Sequence, residues 1–164
     1  MDEKWSTIKD FPAYKISTNG EIVNRDTNRN IKLSTNKAGI VKVGLVYDGT
    51  QYTRAVSVLV AEAFVFGRDE MFNTPIHLDG NALNNRADNI LWRPRWFAWK
   101  YARQFTEVTI YNAQGPILDL KTGVWYTDMM EAATENGLLV DEIRRSVIFR
   151  RPVFPTKQIF TFQE

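Results

Sequence analysis

"TPIHLDGNALNNRADNILWRPRWFAWK", residues 74–100, decides how the rest of this chain is read. Its first part places a lone histidine, His77, ahead of Asp79-Gly80-Asn81 and a cluster of asparagines. Short polar side chains of this kind bond their own backbone and make turns. Its second part is crowded with aromatics: Trp92, Trp96, Phe97 and Trp99. The polar half suggests a site, the aromatic half a core or a contact surface.

Composition narrows the possibilities. A chain of 164 residues suits one ordinary domain or two or three small modules in series. With 24% charged and 44% apolar residues it reads as a soluble globular protein. There is no cysteine, which excludes disulfides and thiolate metal sites. One histidine argues against a His-rich zinc site. No apolar run approaches the roughly 20 residues needed to cross a bilayer. The acidic, polar start, "MDEKWSTIKD", does not read as a signal peptide. The expectation is a cytoplasmic protein with no membrane partner.

Net charge is only +2, a weak pointer to nucleic acid. Two local clusters say more. "RPRWFAWKYARQF" carries Arg93, Arg95, Lys100 and Arg103, and "RRSVIFRRP" carries Arg144, Arg145, Arg150 and Arg151. Such patches bind phosphate even when the total charge is small. A solvated helix face is the plain alternative.

Residues 1–55 read as β-rich. Asn19-Gly20 and Asp48-Gly49 are tight-hairpin signals, each flanked by alternating apolar and polar residues. Residues 56–67 switch to a helical period through Leu59, Ala63 and Phe66, with Ser57 as candidate N-cap and Gly67 as candidate stop. After Trp92 a helix is expected with Pro94 in its first turn and Phe97, Tyr101 and Phe105 spaced by four. "EVTIYNAQGPILDL" suggests a third hairpin, turning near Gln114-Gly115. A helix from Thr127, a break at Asn136-Gly137, a second helix over 140–148 and a closing strand in "KQIFTFQE" complete the reading.

Three stretches in this order resemble the HNH homing endonucleases of phages and introns. "WSTIKDFPAYKISTNGEIVN" with "VSVLVAEAFV" is similar to the module that precedes their nuclease domain. "IHLDGNALNNRADNILW" is similar to the front of the HNH motif. "VWYTDMMEAATENGLLVDEIRRSV", ending in "IFTF", is similar to their C-terminal helix-turn-helix repeat. The resemblance implies an α+β protein with three parts. These are a small β-rich N-terminal module (1–55), a central HNH-like ββα-metal region (56–106), and a C-terminal hairpin with a helix-turn-helix (107–164). It also implies a bacterial host cell and a viral or mobile-element origin.

The resemblance makes His77 the residual general-base position; an imidazole can take a proton from water near neutral pH. It also implies two metal ligands with oxygen donors. One directly precedes the histidine, where this chain has Ile76. The other lies six residues after Trp92, where it has Ala98. Neither side chain can coordinate magnesium. Asp79 and Asn81 are conceivable substitutes, but in the family they shape the hairpin turn. The expectation is no metal and no cofactor, with Mg2+ needed only if the chain is an active nicking endonuclease after all.

Double-stranded DNA is the expected partner. Arg93, Arg95, Lys100, Arg103, Arg144, Arg145, Arg150 and Arg151 are its candidate contacts, and residues 140–148 the candidate recognition helix. Asp141 and Glu142 near that helix start favour the plainer reading of a packed αα-hairpin. Trp96, Trp99 and Tyr101 are candidates for docking a host or viral protein, since exposed aromatics anchor interfaces; stacking on unpaired bases is the alternative. The expected function is therefore DNA binding without efficient cleavage, used for regulation or interference. An active nuclease and a pure protein-interaction module are the rivals.

Overall fold

The structure is a computed structural model and describes residues 2–106 and 115–162. The expected turn at Gln114-Gly115 and the strand before it fall largely in residues 107–114, outside the described part. The mixture of helices and antiparallel sheets is α+β, as expected. The chain divides into two compact units, residues 1–98 and 99–164.

In the first unit, β1 (Trp5–Ile8), β2 (Phe11–Ser17) and β3 (Ile22–Asn24) form an antiparallel sheet in that order. β4 (Leu33–Thr35), β5 (Val41–Tyr47) and β6 (Thr50–Ala55) form a second. Both hairpin signals are used. Asp48 and Gly49 have φ of 48° and 73°, the left-handed pair that matches the twist of two joined strands. Alternation buries Val43 and Leu45 of β5 while Val46 faces solvent.

α1 (Val56–Phe64) follows β6 without a side-chain cap. Ser57 is not the cap; it lies inside the helix and is buried. Nor does Gly67 end it, because the chain has already left the helix at Val65. Phe66, expected on the apolar face, lies beyond the last turn and is fully exposed. β7 (Thr74–His77) pairs with β8 (Ile90–Arg93), and Ile76 lies opposite Leu91.

One core joins these pieces: Phe11 and Ile16 of β2, Val43 and Leu45 of β5, Val56, Leu59 and Val60 of α1, Ile90 and Trp92 of β8. The boundary expected at residue 55 therefore runs through a shared core. Two small sheets cannot bury enough apolar surface alone. Each buried aliphatic side chain contributes about 1.5–3 kcal/mol, and α1 and β8 supply the missing cover. The Trp92 indole N–H donates to Val65 O at 3.0 Å, satisfying its one polar group.

The division between the units falls inside α2 (Arg95–Arg103). Its predicted inner stripe is real: Phe97 and Tyr101 are buried, and the Tyr101 and Phe105 rings meet edge to face at 5.3 Å.

In the second unit, β10 (Trp125–Tyr126), β9 (Ile117–Asp119) and β11 (Phe160–Phe162) form a sheet in that order. α3 (Met129–Asn136) starts two residues later than the expected Thr127, because Asp128 is the N-cap and accepts from Glu131 N at 2.8 Å. The Glu131 carboxylate in turn accepts from Thr127 N, the residue before the cap. Gly137 takes φ of 61° and ends α3. α4 (Val140–Phe149) then packs Val140 and Ile143 against Ile117, Met129, Leu138 and Phe160.

A polar hub sits beside that core. Asp119 is completely buried. Its carboxylate accepts from Lys121 N at 2.9 Å, Thr122 Oγ1 at 2.6 Å and Gln158 Nε2 at 2.7 Å. Gln158 Nε2 also reaches Asn136 Oδ1, and Asn136 Nδ2 donates to Tyr126 OH. Burial raises the Asp119 carboxyl, but the bonds from Thr122, Gln158 and the Lys121 amide outweigh it and hold the group below its ordinary range.

Candidate functional site

The segment quoted first folds into a loop closed by two strands. β7 ends at His77, and β8 begins opposite it at Ile90. Between them, Asp79 and Asn89 tie the loop shut. Asp79 N donates to Asn89 Oδ1 at 3.1 Å, and Asn89 Nδ2 donates to Asp79 Oδ1 at 2.9 Å. Asp79 Oδ1 also accepts from Asn81 N, and Oδ2 accepts from Asn84 Nδ2 at 2.8 Å. Partial burial raises the Asp79 carboxyl. Bonds from Asn84, the Asn81 amide and Asn89, with the nearby His77, more than reverse this, so the group stays an anion to lower pH than usual.

Among the described residues the His77 ring has one hydrogen-bond partner: its Nε2 lies 2.9 Å from Asn85 Oδ1. Asn85 Nδ2 donates to Ala82 O, which orients the amide with its oxygen toward the ring. An amide oxygen only accepts, so Nε2 carries the proton and Nδ1 keeps its lone pair. That is the tautomer able to accept a proton from water.

The N-terminal hairpin buttresses this arrangement. Ala87 N donates to Thr18 O at 2.8 Å, and Arg86 Nη1 donates to Asn19 Oδ1 at 3.1 Å. Gly20, with φ of 85°, passes so close that a Cβ there would stand 3.2 Å from Asn85 O. Sequence reading found Asn19-Gly20 as a turn and missed that it supports the residue holding His77. The resemblance gives Asn85 and Asn89 a part in locking the loop, and both are buried.

The opposite side of the chemistry is thin. Ile76, beside His77, is buried hydrocarbon, and Ala98 on α2 has no donor atom. Both Asp79 oxygens already accept hydrogen bonds within the loop. Among the described residues no three of His, Asp or Glu gather in a way that could hold a metal ion. The donors present around His77 therefore do not make the oxygen-rich set that magnesium takes.

The basic candidates separate into three kinds. Arg93 is buried, not presented to a ligand; its Nη1 donates to Trp92 O at 2.9 Å and its guanidinium lies over Phe97. Arg95, Lys100 and Arg103 are exposed on α2, with Arg103 stacked 4.5 Å over Trp99. On α4 the arginines are matched by acids. Asp141 pairs with Arg144 at 2.8 Å and Arg145 at 2.9 Å, and Glu142 lies within 3.9 Å of Arg151. Arg150 follows α4 with φ of 49° and is exposed.

Of the three aromatics expected at an interface, Trp96 and Trp99 are 51% and 60% exposed. Tyr101 is buried and is not available to a partner; its place on the Phe97 stripe turns it inward. No helix among the described residues is long and apolar enough to cross a membrane.

Comparison with known proteins fits this geometry. Residues 3–46 match the NUMOD4 motif. Over 92 residues, 56% of its length, the chain is 37% identical to an HNH endonuclease of Acanthamoeba polyphaga mimivirus, and it spans only 27% of that relative. Its fold is like that of the HNH homing endonuclease I-HmuI, solved in a study of DNA binding and cleavage. The TM-score is 0.58, with 23% identity and 98% of both chains covered. At that identity the likeness is one of fold. The N-terminal motif, the viral relative and the shared fold make the chain similar to the HNH homing endonucleases.

Proposed function

We propose that the protein binds double-stranded DNA through this scaffold and cleaves it slowly or not at all, serving regulation or interference on viral or host DNA. The observation that carries the reading is the donor set beside His77: hydrocarbon at Ile76 and Ala98, and an Asp79 carboxylate already engaged by Asn81, Asn84 and Asn89. A divalent ion supplies several kcal/mol of charge stabilisation in phosphate chemistry, and each ~1.4 kcal/mol is tenfold in rate. A histidine that only accepts a proton does not replace it.

DNA contact draws on the exposed cations of α2 and α4. The α4 pairs do not forbid this. Exposed ion pairs contribute about 0–1 kcal/mol, so phosphate oxygens can take over from Asp141 and Glu142 at small cost. The exposed Trp96 and Trp99 favour a docked host or viral protein as the route by which a non-cleaving binder would act.

One observation favours an active nicking enzyme instead: His77 keeps both its orienting Asn85 and the proton-accepting tautomer. Supercoiled plasmid incubated with the protein in Mg2+ or Mn2+ separates the two. The expected result is no nicking above background, with a duplex gel shift that weakens steeply with salt. Robust nicking that vanishes in His77→Ala overturns the reading; absence of any salt-sensitive duplex binding overturns its DNA half.

A further inference from the structure

The first unit has a second polar–aromatic site that the His77 loop does not use. Where β2 begins beside the β5–β6 hairpin, an open cavity of about 450 Å3 is lined by Lys9, Asp10, Phe11, Tyr47, Tyr52 and Arg54. Arg54 lies over two adjoining rings, its guanidinium carbon 5.3 Å from Phe11 and 5.4 Å from Tyr52. The two rings themselves meet edge to face at 5.7 Å. The floor is rigid, because Phe11 is buried in the core. The walls are open, with Tyr47 53% and Tyr52 38% exposed.

Two features make this more than a packed arginine. First, a guanidinium has five N–H donors, and Arg54 uses one side of the group on its neighbour's carbonyl, Thr53 O at 3.1 Å. Second, neither Arg54 nor Lys9 has a carboxylate within ion-pair distance among the described residues. The contrast is with α4, where Asp141 and Glu142 answer the arginines. These cations stand ready for an anion, and ring faces stand beside them. Asp10 on the rim makes a bare anion a poor occupant. It suits a ligand that carries N–H donors along with its negative charge, since carboxylates accept from base amino groups.

The geometry points to a binding site for an unpaired nucleotide of single-stranded nucleic acid. The base stacks on Tyr52 and Tyr47, its phosphate is held by Arg54 and Lys9, and Asp10 accepts from a base N–H. Aromatic stacking plus an electropositive groove is the general means of holding single strands without strict sequence preference. The site goes beyond the duplex binding proposed above and stands or falls separately from it.

The test is fluorescence anisotropy with a labelled 12-nucleotide single strand of mixed sequence and, in parallel, a 12-base-pair duplex, using the whole chain. Tyr47→Leu and Tyr52→Leu are each expected to weaken single-strand binding about tenfold, within the range seen for lost base stacking, and to leave duplex binding within twofold. Arg54→Gln is expected to lower the single-strand salt slope by about 0.7, one phosphate's worth. Tyr47 is the more exposed ring, so Tyr47→Leu keeps the test open if Tyr52→Leu unfolds by circular dichroism. Unchanged single-strand affinity in Tyr47→Leu and Arg54→Gln overturns the site. So does an equal loss on duplex, which would make the patch part of a general DNA face. A deoxynucleoside monophosphate is expected to shift the Tyr47 ring signals in NMR; the same shifts with inorganic phosphate alone overturn the assignment of a base. Failure of the wild type to bind duplex, with the single-strand losses intact, counts against the duplex reading only.

Discussion

Two carboxylates organise the two halves of this molecule in nearly the same way. Asp79 gathers Asn81, Asn84 and Asn89; Asp119 gathers the Lys121 amide, Thr122 and Gln158. Both are held below the ordinary aspartate range by those bonds against the pull of burial. They differ in one respect: Asp119 is sealed, and Asp79 is exposed. A sealed hub can only stabilise. An exposed hub holds a loop rigid while leaving its rim, and the imidazole on it, open to a ligand. An aspartate two residues after a nuclease-type histidine is thus no metal ligand by position alone; here its oxygens are engaged by neighbouring donors as those of the buried Asp119 are.

The comparison is sharpest in stability. Asp119→Ala leaves buried donors on Thr122 and Gln158 without an acceptor, and each such group costs about 1–3 kcal/mol. A loss of about 3 kcal/mol is expected in urea unfolding of the chain. An effect below 1 kcal/mol would break the idea of a sealed hub. Gly20→Ala comes next, at about 2 kcal/mol. It puts a side chain at φ of 85° and presses on Asn85. Because Asn85 holds His77, the His77 ring signals are also expected to move in NMR; a destabilised protein with unmoved signals would separate the turn from the site.

Asp79→Ala should cost about 1 kcal/mol, since water reaches the donors it abandons. Parity with Asp119→Ala would erase the contrast between open and sealed. The smallest effect is that of pH. Both carboxyls titrate lower in the folded chain than in the unfolded one, so their stabilisation is fully present above the unfolded value. It is lost as pH falls through the folded one. Thermal unfolding between pH 7 and 5 should barely change on their account, and stability should fall below about pH 4, where free aspartate protonates. In Asp119→Asn that acid-side fall is expected to be shallower; an unchanged slope would deny Asp119 its share.

Local chemistry carried much of the reading. Asn19-Gly20, Asp48-Gly49 and Asn136-Gly137 turned the chain where expected, because few residues tolerate a left-handed backbone. The spacing of Phe97 and Tyr101 marked the inner stripe of α2, because a helix repeats every 3.6 residues, while Phe105 lies beyond the helix end. His77, Ile76 and Ala98 could be placed against a familiar pattern by counting alone. Helix starts were less legible: Ser57 looked a suitable cap and Thr127 a first residue, yet β6 runs directly into α1 and α3 begins after Asp128.

Three matters belonged to the tertiary structure. Charge availability was one. Arginine density pointed to α4, where acids one turn away answer the charge, while Arg54, solitary in sequence, lies beside aromatic rings with no carboxylate partner among the described residues. Burial was another, since Arg93 and Tyr101 are typical surface candidates by type and turn inward by packing. The last was the extent of the core, which crosses residue 55 because neither small sheet can exclude water alone. Sequence fixes what each residue is able to do; only the folded chain decides which groups meet, because contacts between distant residues are set by which surfaces must leave water together.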